Sequence, residues 1–244
     1  MWSTIWHTFF FDPVYNTLAF FIDVLPGGDV GLAIICTVVV IKTVILPLSI
    51  KVAKMQTVMR ELEPKMKEIK VAIADRQEQA KAIMGLYKEA KINPLMNIFL
   101  LFVQFPIVIA LYLSVIKGGG VALPAINSAL LYSFIPNPEV VSMLMLGVFD
   151  ITLKSLPLAL LAGITQFLHV HLSMPVPAPK VEGTTPSFKD EFGRSMNVQM
   201  RYVMPIIIVF VAYTFSAAIA LYFTVSNLMA IGTELVVRKH RKTD

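Results

Sequence analysis

The sequence predicts an all-α polytopic membrane protein: five transmembrane helices around a cytoplasm-open hydrophilic groove, with a cytoplasmic helical hairpin. Three observations lead to this prediction. Of the 244 residues, 56% are hydrophobic and only 15% are charged, whereas soluble domains carry about 25% charged residues. Several apolar stretches approach the roughly 20 residues that cross a bilayer. A strongly basic segment separates the first of these stretches from the second.

Residues 1–28 are aromatic and apolar but are interrupted by Pro13 and Pro26. Aromatic rings favour the membrane–water interface, so we predict an extracytoplasmic, interfacial segment with a short helix between the two prolines. The alternative is a complete additional span. Asp12 and Asp23 in so short a segment favour the interfacial interpretation.

Residues 29–50 form the first predicted span, and Lys42 lies in its inner third. A charge at that depth costs at least ~2.5–3.5 kcal/mol on insertion scales. The nearest interface is at Lys51, about 13 Å further along a helix, which exceeds the reach of a lysine side chain. Lys42 therefore either escapes to the headgroups through tilt or bilayer thinning, or faces a wet cavity inside the bundle. We favour the cavity.

Residues 51–92 are rich in lysine and arginine, and their apolar residues recur at helical spacing. This pattern predicts two amphipathic helices that reverse near residues 74–77 and form a hairpin outside the bilayer. The alternative is a solvated charged loop, but the regular period of 3.6 residues favours the hairpin.

The rest of the chain alternates between apolar spans and polar connections. His169 and His171 end the third span, but side chains at i and i+2 point to different faces of a helix, so no metal pair is expected and no cofactor is predicted. The remaining predicted segments are the second span at 93–116, an extracytoplasmic loop at 117–154, the third span at 155–173, a cytoplasmic loop at 174–201, the fourth and fifth spans at 202–215 and 216–237, and a basic tail at 238–244.

Five spans place the two termini on opposite sides of the membrane. Of the 21 lysines and arginines, all but Lys42, Lys117 and Lys154 fall on the side of the hairpin and the tail. The positive-inside rule therefore predicts an N-out, C-in orientation. The N-terminus has neither a secretory nor a transit pattern, so we expect a bacterial cytoplasmic membrane.

Several polar side chains fall at bilayer depth and are candidates to line a groove with Lys42. Each could instead hold helices together, since hydrogen bonds between membrane helices contribute typically ~0.6 kcal/mol. That explanation fails for Lys42, because no span contains a clear acid to pair with it and Glu234 lies near the inner end of the last helix. No enzyme motif is present, so catalysis is not expected. The polar candidates are Gln104, Gln166, Tyr222, Ser226 and Asn227.

A series of short motifs runs along nearly the whole chain. They are Asp12-Pro13-Val14-Tyr15-Asn16, Lys42 followed by Leu46-Pro47-Leu48, Leu62-Glu63-Pro64-Lys65-Met66-Lys67, Leu86-Tyr87-Lys88-Glu89, Ile92-Asn93-Pro94, Gln104-Phe105-Pro106, Leu111-Tyr112, the stretches 146–153 and 163–167, and the stretches 200–205 and 215–227. In this order they resemble the YidC/Oxa/Alb family of membrane protein insertases, with Lys42 at the position of the family's intramembrane arginine.

The resemblance implies a membrane protein insertase and chaperone in which nascent segments enter a hydrated, positively charged groove and then slide into the bilayer. It implies that Lys42 is the groove charge, that Gln104 lines the groove, and that Tyr222 and Phe223 contact the passing helix. The hairpin would receive substrate and partners. The partners expected are nascent membrane proteins, the lipid bilayer, the ribosome through the basic tail and cytoplasmic loops, and the Sec translocon.

The chain departs from the family pattern in several places. Lysine in place of arginine keeps the charge of residue 42 but lacks the planar set of five donors. The stretch 215–219 lacks the family's proline and glycine, and Phe223 lacks the polar edge of the usual tryptophan or tyrosine. The large periplasmic domain of Gram-negative members is also missing from this sequence.

Two rival functions remain compatible with an intramembrane lysine. The first is a small-anion channel or carrier that uses Lys42 as its binding charge, although the outward halves of the spans lack polar residues to line a pore. The second is a purely structural assembly factor, for which Lys42 would be dispensable.

Overall fold

The computed structural model describes residues 2–73, 75–93, 96–117, 120–173, 195 and 198–241. The described chain is mostly helical, which confirms the predicted all-α class. The predicted cytoplasmic loop lies outside the described residues except at 195 and 198–201. Ala74 of the predicted reversal and residues 242–244 of the basic tail also lie outside them.

The N-terminal segment is helical and forms part of the core. Helix α1 (Trp2–Trp6) continues through a π-helical turn (His7–Phe11) into α2 (Asp12–Val24), which ends before the 3₁₀ turn at Pro26–Gly28. One face of α2 is buried against helix α3 (Val30–Ala72). This face carries apolar side chains at helical spacing, so burial of its amphipathic surface holds α2 in place.

Helix α3 is a single helix of 43 residues. Its N-terminus is capped by Asp29, whose carboxylate accepts a hydrogen bond from the Leu32 amide at 3.0 Å. A helix of this length extends about 65 Å, roughly twice the hydrocarbon core of a bilayer. The first span and the first arm of the hairpin are therefore continuous, whereas the sequence prediction divides them at residue 51. The composition changes there, but Pro47 and Pro64 both lie inside the helix without ending it.

Helix α4 (Arg76–Glu89) forms the second arm of the hairpin and packs against α3. Asp75 caps it, accepting hydrogen bonds from the amides of Gln77 and Glu78 at 2.8 and 2.9 Å. Such a cap typically stabilises a helix start by ~1 kcal/mol. Across the hairpin, the Tyr87 hydroxyl donates to the sulfur of Met66 at 3.2 Å.

The remaining helices are α5 (Met96–Ile116), α6 (Leu156–Ser173), α7 (Met204–Phe215) and α8 (Ala217–Arg241), with a π-helical turn at Gln199–Val203 leading into α7. Helix α8 packs against α6 and α3, and α7 packs against α6. Among the described helices, three are long and apolar enough to cross a membrane: Val30–Ile69, Leu156–Ser173 and Ala217–Lys239. Two further apolar helices are shorter, Phe102–Ile116 and Gln199–Phe215.

A short β-hairpin, β1 (Leu144–Met145) paired with β2 (Phe149–Asp150), is docked on the start of α3. The second carboxylate oxygen of Asp29 accepts from the Leu146 amide at 2.7 Å, and the Val30 amide donates to the Ser142 carbonyl at 3.0 Å. Asp29 therefore caps its own helix and anchors the loop that follows α5. On β2, a hydrogen bond from the Thr152 hydroxyl to Asp150 holds the pKa of that carboxyl below its usual range.

Candidate functional site: a polar cavity between four helices

A cavity of about 330 Å³ lies between α3, α5, α6 and α8. Its lining residues fall in the middle of α3 and α8, the C-terminal half of α6 and the N-terminal half of α5. The residues that line it are Lys42, Leu46, Ser49, Val52, Ala53, Gln56, Leu100, Gln104, Gln166, His169, Ser173, Tyr222, Phe223, Ser226, Asn227, Met229, Ala230, Thr233 and Glu234. The seven site residues predicted from the sequence are all among them.

The opposite half of the bundle is densely packed. Val30, Ala33 and Ile34 at the start of α3 are fully buried, and they belong to one core with apolar residues of α2, α5 and α8. Small residues at the start of α8, such as Ala217 and Ala220, allow this close approach. Lys42 lies one turn beyond Val38 of this core, at the end of the cavity nearest to the packed region.

Lys42 is bound by an amide rather than by an acid. Its Nζ donates a hydrogen bond to Oε1 of Gln104 on α5 at 2.6 Å. An ammonium group has three donors, so this contact leaves two for other partners in the cavity. This hydrogen bond holds the Lys42 ammonium group in place. Because Gln104 is neutral, it does not cancel the positive charge.

Three of the predicted site residues lie on two successive turns of α8. Tyr222 is almost fully buried at 2% exposure, whereas Phe223 is half-buried. Their rings meet edge to face with centroids 5.6 Å apart. Ser226 lies one turn further on, also buried and lining the cavity. The tyrosine therefore forms part of the cavity's inner wall, and the phenylalanine is the more accessible of the two rings.

Of the other two predicted residues, Asn227 connects two helices as well as lining the cavity. The Asn227 amide nitrogen on α8 donates to the Ala162 carbonyl at 3.4 Å and to the Thr165 hydroxyl at 3.3 Å, both on α6. Asn227 therefore links α8 to α6, which is the structural role that any polar residue at bilayer depth can have. Gln166 on α6 is half-buried at the cavity wall.

The structure adds His169 to the site, which sequence reasoning considered only as half of a metal pair. Its ring lines the cavity, and among the described residues its buried Nδ1 has no hydrogen-bond partner. His171 instead faces away, contacting the Phe167 carbonyl at 3.2 Å. A buried polar atom beside a cavity of this size is suited to binding water or a polar ligand. Within the described chain, no group of three or more His, Cys, Asp or Glu side chains could hold a metal ion.

A second feature missing from the sequence prediction is an ion-pair cluster at the hairpin end of the cavity. Glu234 of α8 is 2% exposed and lies 3.5 Å from Nη1 of Arg60 and 2.9 Å from Nε of Arg238. Both arginines also donate to the carbonyl of Leu172 in the last turn of α6. The i, i+4 spacing of Glu234 and Arg238 is visible in the sequence, but the contact with Arg60 spans most of the chain.

Comparison with known proteins identifies the family. The family described as 60Kd inner membrane protein matches residues 21–244. The chain belongs to this family. Relatives include a protein named Membrane protein insertase YidC from Alkalihalophilus pseudofirmus, 30% identical over 238 residues that cover 93% of this chain and 79% of the relative. The Fusobacterium nucleatum protein of the same name is 28% identical and covered over 97% of its length. Membrane protein insertase YidC 1 of Listeria monocytogenes is 27% identical over 95% of this chain and 71% of the relative.

The relatives' names agree with the resemblance to membrane protein insertases that the motifs predicted, so that prediction is confirmed. The three relatives align over more than nine-tenths of this chain. The match therefore includes all four helices that line the cavity.

Proposed function

We propose that this protein is a membrane protein insertase and chaperone, a non-enzymatic role. Nascent membrane segments enter the cavity from the hairpin end and then leave sideways into the bilayer. The observation that carries the proposal is Lys42, a lysine at span depth that is oriented by Gln104 in a cavity closed at its opposite end. The insertase names of the relatives support the same function.

The physical basis of the proposed activity is a shorter apolar path. Moving an unpaired polar group into hydrocarbon costs roughly 2–7 kcal/mol, so a polar segment crosses a full bilayer slowly. A hydrated cavity that occupies the inner half of the membrane leaves only the outer half to be crossed without water. Lys42 adds an attractive potential for carboxylates, which is strong at the low effective dielectric of a membrane protein.

We propose the five-span architecture with an N-out, C-in orientation in a bacterial cytoplasmic membrane. In addition to the three long apolar helices, α5 has 21 residues, enough for about 32 Å. The helical stretch Gln199–Phe215, which includes α7, reaches about 25 Å and would cross where the bilayer is thin.

We propose nascent membrane proteins as the substrates and the lipid bilayer as the medium into which they pass. The ribosome is proposed as a partner of the basic tail and cytoplasmic loops, and the Sec translocon as a partner within the membrane. Deletion of residues 239–244, which keeps Arg238 and its ion pair with Glu234, tests the ribosome contact, since ribosome co-sedimentation should fall. Unchanged co-sedimentation would rule out the tail as the contact.

Reconstitution into liposomes tests the proposed function. The substrate is a small single-span protein with an acidic N-terminal tail, and protease protection of the tail measures insertion. We expect Lys42→Arg to insert this substrate and Lys42→Ala to insert it about fivefold less, because only the alanine variant removes the attracting charge.

The controls separate the insertase from its rivals. Empty liposomes and heat-inactivated protein give the background. Insertion by Lys42→Ala at the wild-type level would mean that the charge is not essential, as a purely structural assembly factor requires. Absence of insertion by the wild type, together with anion flux that stops in Lys42→Ala, would favour a channel or carrier.

A further inference from the structure

Glu234 is the one acidic side chain among the described residues that line the cavity. It is buried at 2% exposure and occupies the end of the cavity nearest the hairpin. An isolated carboxylate here would face any segment that enters from that side. It would repel acidic substrate residues and would oppose the positive potential of Lys42.

Arg60 and Arg238 compensate that negative charge. Each forms an ion pair with Glu234, and each also donates to the Leu172 carbonyl at the negative end of the α6 dipole. Arg201, itself buried, lies close enough for its charge to act on Arg60. Two arginines against one carboxylate leave Arg60, Arg238 and Glu234 with a net positive charge, although the most buried of the three is the acid.

The two arginines that bind Glu234 come from different helices and differ in exposure. Arg238 lies one turn from Glu234 on the same helix and its side chain is 36% exposed, so water screens much of its effect. The Arg60 side chain reaches across from α3 and is 19% exposed. Because Arg60 is the less exposed of the two, water screens its charge less, although its contact with Glu234 is the longer one.

We propose that Arg60 determines specificity for acidic membrane segments by neutralising Glu234, so that entering carboxylates encounter a positive path as far as Lys42. The inference rests on the proposed insertase function and extends it to a residue 18 positions beyond the groove lysine. Arg60 acts here through Glu234 and is a positioning residue. A purely structural role for Arg60 would reduce insertion of all substrates alike.

The experiment compares two single-span substrates that differ only in an acidic or a neutral N-terminal tail, inserted into liposomes by each variant. Arg60→Gln should lower acidic-tail insertion about fivefold relative to neutral-tail insertion. The substitution removes the positive charge that α3 places beside Glu234, so the carboxylate repels the acidic tail more strongly. Arg60→Lys keeps the charge and should preserve most of the wild-type ratio. The double variant Arg60→Gln/Glu234→Gln removes both charges and should restore the ratio.

Glu234→Gln alone provides a test that does not depend on burying an unpaired charge. Its acidic-to-neutral insertion ratio should be equal to or above that of the wild type, and a lower ratio would overturn the proposal. Equal losses for both tails in Arg60→Gln, or failure of the double variant to recover the ratio, would also overturn it. Wild-type insertion of the neutral-tail substrate tests the insertase function itself, which can hold while the role of Arg60 fails.

Discussion

Lys42 shows at the scale of a single residue how a charge is kept inside a membrane protein. Its Nζ is bound by the Gln104 carbonyl oxygen at 2.6 Å, and no acid takes part in that contact. An acidic partner would satisfy the lysine more strongly but would cancel its field. A neutral amide satisfies one donor and leaves a net positive charge facing the cavity.

This arrangement predicts the effect of Gln104→Glu, which changes one amide group into a carboxylate at nearly constant shape. The new ion pair with Lys42 should neutralise the cavity charge, so acidic-tail insertion should fall about fivefold while neutral-tail insertion changes less. The ratio of the two insertion yields is the measurement. Gln104→Asn, which shortens the side chain without adding charge, is the control for altered geometry. The prediction would be contradicted if a folded Gln104→Glu protein gave the same ratio of acidic-tail to neutral-tail insertion as the wild type.

At the scale of elements, the bundle depends on close contacts at a few small residues. Gly163 of α6 faces α7, and a Cβ at this position would lie 2.2 Å from Cγ2 of Val209. Valine is stiff in a helix, so it cannot rotate away freely. The approach of α6 to α7 therefore depends on glycine at residue 163.

The contact predicts that Gly163→Ala destabilises the protein, because overpacking in a tight interface costs typically ~1–3 kcal/mol. Val209→Ala in the same chain should restore much of the loss by removing the opposing methyl groups. Thermal unfolding in detergent measures both effects. Gly232→Ala on α8 is the matched control, since within the described chain no atom beyond the nearby backbone of its own helix lies within 4 Å of its added Cβ, and helix propensity favours alanine. A melting temperature of Gly163→Ala equal to that of the wild type would contradict the close contact.

At the scale of the whole molecule, the two ends of the bundle differ. The end with the β-hairpin is filled by the buried core, while the end with α4 contains the cavity and the arginine cluster. In the proposed orientation, the filled end faces outward and preserves the permeability barrier. The open end faces the cytoplasm, where nascent chains are made.

The orientation can be tested with single cysteines introduced after Cys36→Ala. Lys81→Cys lies on the exposed face of α4, and Glu139→Cys lies in the exposed loop before β1. In intact cells, a membrane-impermeant maleimide should label residue 139 and should label residue 81 only after permeabilisation. Labelling in the reverse pattern would contradict the N-out, C-in orientation.

Much of the fold was predictable because it depends on local patterns. Hydropathy located the apolar helices, and the helical period of the basic segment predicted the α3–α4 hairpin. Prediction was weaker at boundaries: nothing in the sequence around residue 51 shows that the span and hairpin arm share one helix. The buried faces of α2 were also beyond prediction, since they depend on contact with α3.

The sequence by itself determined the helical class and the family, and it supplied seven candidate site residues, all of which lie among the residues that line one cavity. These follow from composition, from periodicity and from motifs that are read along the chain. The tertiary structure alone decided which polar groups bind each other: Lys42 to Gln104, Asn227 to Thr165, and Arg60 to Glu234. The physical reason is that these partners are 62 or more residues apart, so only the packing of helices brings their atoms within hydrogen-bonding or ion-pair distance.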